Sequence, residues 1–180
     1  MKMHILKLLV LLFMMAAFAA CTVGERNVFG TWELQPDEST DLATWRYRTL
    51  TLDISQQGKQ TVLIQKWRRG NEPFFTDSLA FVPDGDAIRI PITRQHWPDN
   101  WYMGVLAVPG SERTVTGEWQ SEGQAFTVSS TQPVQTSQGE FNLKTTLDVS
   151  MDKKLDVLRI SVQRETRPTP IELVFKRVSR

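Results

Sequence analysis

The sequence predicts an all-β protein, an antiparallel up-and-down barrel of about eight to eleven short strands that follows a cleaved leader. Three observations carry this. Short alternations of apolar and polar residues recur about every 12 to 14 positions, with turn-forming residues between them. No window offers the long stripe of apolar residues at helical spacing that an amphipathic helix needs, and nothing reads as a strand–helix–strand unit. The first and last alternations look like mates, and pairing them closes the sheet and removes edge strands that invite aggregation.

The first element is 27–35, Asn-Val-Phe-Gly-Thr-Trp-Glu-Leu-Gln. Alternate residues of a strand point to opposite faces, so Trp32 and Leu34 face inward while Thr31, Glu33 and Gln35 face water. Gly30 weakens a strand and marks a bend or a close backbone approach. Two residues before an inward Trp, it lets the chain turn while the indole covers the barrel floor. Residues 36–44, with Pro36, Asp37, Ser39 and Asp41, form a polar loop with room for one helical turn. In 45–55, Leu50, Leu52 and Ile54 alternate with Thr49, Thr51, Asp53 and Ser55, the pattern of a half-buried strand. Gln56-Gln57-Gly58-Lys59 turns into 60–69, and Gly70-Asn71-Glu72-Pro73 turns into 74–82. Pro83-Asp84-Gly85-Asp86 is a strong turn signal.

Ile88, Ile90 and Ile92 then alternate with Arg89, Pro91 and Thr93. Pro91 has no N–H for a ladder, so this strand is an edge or carries a bulge. The next strand, 101–108, ends at Pro109-Gly110. Strand 113–120 puts Val115, Gly117 and Trp119 on one face, and 125–130 follows the turn at Gly123. Residues 132–139, rich in Gln, Thr and Ser, read as a polar loop. Phe141, Leu143, Leu147 and Val149 mark another strand, ended by Asp152-Lys153-Lys154. In 155–165 the alternation slips at Val157-Leu158, which predicts a bulge. Arg167-Pro168-Thr169-Pro170 turns into the last strand, where Ile171, Leu173, Phe175 and Arg177 share a face.

An inward Arg177 needs a partner, because an isolated buried charge is costly. Either it packs across the indole of Trp32, a natural partner for a guanidinium, or the strand frays after Phe175 and Arg177 is solvated. Gly30-x-Trp32 near the start, with a basic residue ending the closing strand, resembles the lipocalin-like pattern. Phe29-Gly30-Thr31-Trp32-Glu33-Leu34 followed by Asp37-Glu38-Ser39 resembles the opening of bacterial lipocalin-like lipoproteins. The resemblance implies a barrel closed by Gly30, Trp32 and Arg177, with the first connection, 36–44, over its mouth. More than eight strand candidates, and no disulfide or C-terminal helix, separate the chain from the strict lipocalins.

Residues 1–20 read as a signal peptide. Lys2, His4 and Lys7 make a positive start, and 8–20 is an unbroken apolar run, shorter than the about 20 residues that span a bilayer. It ends in Phe18-Ala19-Ala20-Cys21, which resembles the lipobox of bacterial lipoproteins. The resemblance implies that Cys21, the one cysteine of the chain, is acylated with chains such as palmitate and becomes the mature N-terminus. Residues 21–26 are then a tether and 27–180 the barrel domain. The alternative is an ordinary secretory leader with a stray cysteine. Each buried CH₂ contributes about 0.8 kcal/mol, so two or three acyl chains anchor firmly. Thr22 follows the cysteine, with no Asp there; by resemblance to enterobacterial sorting this implies the outer membrane, facing the periplasm. With Cys21 acylated, no thiol remains for a disulfide.

The chain carries 21 basic and 20 acidic residues, net +1. Losing Lys2 and Lys7 brings the mature charge to about −1, which gives no electrostatic case for nucleic acid. About 160 residues remain, enough for one domain that buries about 70% of its unfolded surface. After the leader, His96 is the one histidine. A zinc site needs convergent His and Cys ligands, and no short metal motif is present, so neither a metal nor a cofactor is expected. His96 is also the only conventional base for a nucleophile, and no Gly-x-Ser-x-Gly elbow exists. The chain reads as a binding protein and not as an enzyme.

Two places are candidates for binding. The first is His96-Trp97-Pro98-Asp99-Asn100-Trp101-Tyr102-Met103. Exposed aromatics there would make a binding rim, with His96 and Trp97 foremost; alternatively Trp101 and Met103 are core residues with Trp97 packed beneath the loop. The second is the interior, an apolar lining that includes Leu52, Ile54, Ile90, Trp101, Trp119, Phe126 and Phe141. Such side chains either fill a small barrel or leave one ligand cavity. The first functional reading is therefore a membrane-anchored envelope lipoprotein that buries a small hydrophobic or amphipathic ligand, gated by 36–44 and 94–100. The alternative is a filled barrel that acts as an interaction or assembly module for an envelope protein partner. A lipid- or lipoprotein-handling factor stands third.

Overall fold

In the computed structural model, described here for residues 27–40, 49–69, 72–94 and 106–178, the alternating segments form strands of one antiparallel sheet. They are β1 (Gly30–Leu34), β2 (Thr49–Gln57), β3 (Gln60–Arg69), β4 (Glu72–Phe81), β5 (Ile88–Pro91), β6 (Leu106–Ala107), β7 (Glu112–Ser121), β8 (Ala125–Thr136), β9 (Gly139–Asp152), β10 (Val157–Arg164) and β11 (Ile171–Arg177). The order across the sheet is β4-β3-β2-β1-β11-β10-β9-β8-β7-β5, with β6 beside β8. From β1 to β4 and from β7 to β11 sequence neighbours are spatial neighbours, and β1 joins β11. This is the up-and-down barrel that the sequence predicts.

The inner face follows from parity. On β2, Leu50, Leu52 and Ile54 are buried, and each lies opposite an inward residue of β3, as in Ile54↔Leu63 and Leu50↔Trp67. The same alternation places Leu147 and Val149 opposite Val162 and Ile160, and Leu173 and Phe175 opposite Ile160 and Leu158. Fully burying each such side chain contributes about 1.5–3 kcal/mol, so the inward stripe fixes the register of every ladder.

Between the outer faces of β1, β2 and β3, the Thr31 hydroxyl donates to Asp53 at 2.7 Å and Lys66 binds the other carboxylate oxygen. Partial burial opposes the charge on Asp53, but the bonds from Lys66 and Thr31 and the Lys66 charge outweigh it and hold the carboxyl below its ordinary 3.8. A carboxyl lowered in the folded state adds stability above its unfolded value, and that stability is lost as pH falls through the folded one. Asp53→Asn should therefore cost at most about 1 kcal/mol at neutral pH. The difference from the parent should shrink below about pH 4 in urea unfolding curves; a constant difference down to pH 2 would contradict the assignment.

The structure corrects several boundaries. Residues 132–136 are not a loop: β8 runs on to Thr136 because Gln132 and Val134 turn inward and are buried. The bulge expected at Val157-Leu158 is absent, since β10 pairs with β9 without interruption from Val157↔Asp152 to Arg164↔Thr145. Both residues are apolar because both faces of the sheet are covered there. Register shifts fall instead at Trp67/Arg68 and at Trp119/Ser121. Pro91 ends β5, which pairs with β7 alone, as an edge strand must. Beyond β1, Pro36–Glu38 makes one 3₁₀ turn. The Gln35 and Thr40 N–H groups donate to the carbonyls of Val174 and Glu172, and the Ser39 and Thr40 hydroxyls accept from the N–H groups of the same two residues. This stretch runs along β11 where β1 has ended, so 36–40 is not a lid over the mouth. Residues 41–48 and most of 101–108 lie outside the described residues.

Candidate functional site

The floor of the barrel is built by the stretch that precedes β1. Val28 is fully buried, and its N–H donates to the Gly123 carbonyl at 2.9 Å. The Trp32 indole N–H donates back to the Val28 carbonyl at 2.8 Å. Arg177 covers this knot. Its guanidinium lies 4.0 Å from the Trp32 ring centroid and donates to the carbonyls of Phe29 and Asn27, both at 2.7 Å, and to Asp156 at 3.1 Å. Arg177 is thus partnered and not a solvated end. Gly30 has φ +131°, and a Cβ there would sit 2.7 Å from Arg177 Nη1, so the backbone conformation and the close approach both require glycine. Above the floor, Phe29, Trp119, Phe126 and Phe81 form a chain of ring contacts at 5.8, 5.1 and 5.3 Å. The lower barrel is therefore packed with aromatic rings.

Among the described residues the sheet does not close by hydrogen bonds all the way round. Its path ends at β4 on one side and at β5, beside β7, on the other. Among the described residues, side chains and one turn close this seam. Phe81 of β4 presses on Gly117 of β7, where a Cβ would lie 2.4 Å from the ring, and the Asp84 N–H donates to the Gly117 carbonyl at 3.3 Å. Higher up, Arg113 of β7 grips Asp77 of β4 with both Nη atoms, at 2.9 and 3.0 Å. Its Nη2 also donates to the Ser78 carbonyl at 2.8 Å. A bidentate, shielded pair of this kind is among the stronger polar contacts.

A cavity of about 500 Å³ opens at the seam above the Phe81 contact, between β4 and β5. Phe75, Ile90, Ile92 and Ala107 supply apolar wall; Asp77, Arg113 and Gln132, with Arg94, Thr76, Ser78 and Thr93, supply the larger polar part. Ligand pockets commonly run from about 300 to 1,000 Å³ with a few placed polar groups in a largely apolar lining, so this cavity has the dimensions of a small-molecule site. The centre of the barrel does not: the void bordered by Leu52, Gln65, Leu147 and Phe175 holds about 10 Å³, room for about one water molecule.

Inward polar residues continue from the seam around the wall. Gln65 lies opposite Asp77, Arg113 and Gln132 follow on β7 and β8, Ser130 lies opposite Thr145, and Thr145 lies opposite Arg164. Arg113, Ser130, Gln132, Thr145 and Arg164 are all buried. The expectation of an apolar lining is thus corrected: an apolar lower barrel is topped by a polar belt. Ile90 lines the seam cavity. Leu52 borders the small central void, and Ile54 is a core residue. Trp119 and Phe126 belong to the aromatic floor. Trp119 also borders a hollow of about 810 Å³ outside it, with Phe29 and Lys59. Phe141 does not line the interior: it shares the parity of Leu143 but sits near the β8–β9 turn, past the core, and is 39% exposed. Cys21, His96, Trp97 and Trp101 lie outside the described residues. Among those described, no group of three or more His, Cys, Asp and Glu side chains is placed to hold a metal ion.

The described strands define an up-and-down β-barrel. The chain is similar to Schistosoma mansoni fatty acid binding protein in complex with arachidonic acid, with TM-score 0.51 and 16% identity over 84% of this chain and 96% of that one. It is also similar to apo lipid binding protein 8 of Caenorhabditis elegans, with TM-score 0.52 and 12% identity over 88% and 100%. A third likeness is to Echinococcus granulosus fatty-acid-binding protein 1, with TM-score 0.50 and 12% identity over 84% and 98%. At these identities the likeness is one of fold. No protein-family model matches the chain, and no curated protein matches it.

Proposed function

We propose that the protein is a membrane-anchored lipoprotein of the cell envelope that holds a small amphipathic ligand in the seam cavity. The observation that carries this is the cavity itself, about 500 Å³, with Phe75, Ile90 and Ile92 on a mixed lining that also holds buried Arg113 and Gln132. The description of the fold neighbours as fatty-acid- and lipid-binding proteins supports the same class of cargo. The protein holds its ligand and does not transform it. The lipobox resemblance supports acylation of Cys21 and a place on the outer membrane, facing the periplasm. An environment-sensitive apolar dye should bind one to one and be displaced by a single-chain amphiphile. Labelled palmitate should enter the protein and be lost in Cys21→Ser. No dye uptake would remove the ligand, and label retained in Cys21→Ser would remove the anchor. A second reading, a filled barrel that docks an envelope protein, is favoured by the packed lower barrel and its void of about 10 Å³; it predicts no dye uptake.

A further inference from the structure

We infer that the seam cavity takes the uncharged, hydrogen-bonding end of its ligand, a hydroxyl or a primary amide on an apolar chain, and discriminates against a carboxylate. This rests on the ligand-holding function proposed above and adds the chemistry of the head group. Two independent observations carry it.

The first is Gln132. Its side chain is 3% exposed and lines the cavity. An amide on a cavity wall offers a donor edge and an acceptor edge together, and a polar group with so little exposure gains from a ligand that pairs with it. A hydroxyl or a primary amide can satisfy both. A carboxylate can only accept, and leaves the carbonyl edge of Gln132 facing oxygen.

The second is the charge beside it. Arg113, 6% exposed, is the buried cation of this cavity, the one a carboxylate that reaches Gln132 would meet, whereas Arg94, also on the lining, is exposed. Its Nη1 and Nη2 already hold Asp77, and Nη2 holds the Ser78 carbonyl as well. The pair is neutral as a unit. An incoming carboxylate would put a second anion next to Asp77 in a shielded slot, where like charges repel more strongly than in water. Asp77 is therefore a specificity element: it removes the attraction that Arg113 alone would offer and adds a repulsion.

The test compares dodecanol, dodecanamide and dodecanoate at pH 7.5 by dye displacement on the mature chain, residues 21–180, and on two variants. In the parent, dodecanol and dodecanamide should bind at least about tenfold more tightly than dodecanoate. Gln132→Leu, which removes the amide and keeps an apolar side chain, should abolish most of that preference by weakening the two neutral ligands. Asp77→Asn should bind dodecanoate about tenfold or more tightly than the parent does, and added dodecanoate should raise the melting temperature of that variant. Dodecanoate binding as tightly as dodecanol to the parent, or an unchanged preference in Gln132→Leu, would overturn the inference and leave ligand holding intact. Failure of all three probes to bind the parent would overturn ligand holding, and the inference with it.

Discussion

Trp32→Ala is expected to destabilise the protein by about 3–5 kcal/mol, the range for deleting a large buried aromatic. Native domains carry about 5–15 kcal/mol in total, so this one change threatens the fold. The loss exceeds that of an ordinary core truncation for a local reason. Trp32 is fully buried, its indole N–H holds the Val28 carbonyl, and its ring face carries the Arg177 guanidinium. Without the ring, the carbonyl of Val28 and the cation above it lose partners together. Gly30→Ala should act on the same knot from the backbone side, because φ +131° and Arg177 Nη1 at 2.7 Å from the new Cβ both oppose it. Conformations of this kind cost about 1–3 kcal/mol for other residues. Because Trp32, Gly30 and Arg177 share one arrangement, the double variant Trp32→Ala/Gly30→Ala should cost less than the sum of its parts. Urea unfolding reads all three, and strict additivity would show that the residues do not act as a unit.

Arg113→Met should cost about 3–5 kcal/mol, because it leaves the shielded Asp77 carboxylate without its cation. The side chains of the pair are only 7% and 15% exposed, which is what separates this bridge from exposed ones such as Arg89–Glu112, worth about 0–1 kcal/mol. The double variant Arg113→Met/Asp77→Leu should recover most of the loss, since apolar replacement of a whole buried pair is often neutral or better. The seam gives this prediction a second readout. β4 and β7 are joined there by Arg113–Asp77, by Phe81 on Gly117, and by the Asp84 N–H on Gly117. Amide exchange in Arg113→Met should therefore quicken in β4 and β5 before it quickens in β10 or β11. Equal cost for the single and double variants would show that Asp77 is not desolvated.

The parts of this molecule legible in the sequence are those set by local backbone rules. A glycine two positions before an inward tryptophan, and an arginine in phase with Phe175, mark the closure through local pattern alone. Alternation at Leu50, Leu52 and Ile54 does the same for β2, and Pro91 identifies an edge. The polar belt was hidden for a physical reason. Arg113 shares its parity with Val115, and Gln132 with Val128, so both positions point inward, but polar residues in such places are ordinarily read as strand ends or loops. Their burial depends on partners and neighbours far along the chain: Arg113 reaches Asp77, 36 residues away. The seam is invisible for the same reason, since no local pattern says which two neighbouring strands lack a ladder. Phe141 shows the converse error, correct parity past the end of the core.

The measurement that tests the central claim most directly is native mass spectrometry of a soluble form beginning at Thr22, followed by organic extraction of what it carries. A second mass species, heavier by one small amphipathic molecule, is expected, and it should be lost when Gln132→Leu and Arg113→Met are combined. A bare mass for the parent, unchanged after exposure to dodecanol, would contradict it and turn attention to a protein partner of the barrel.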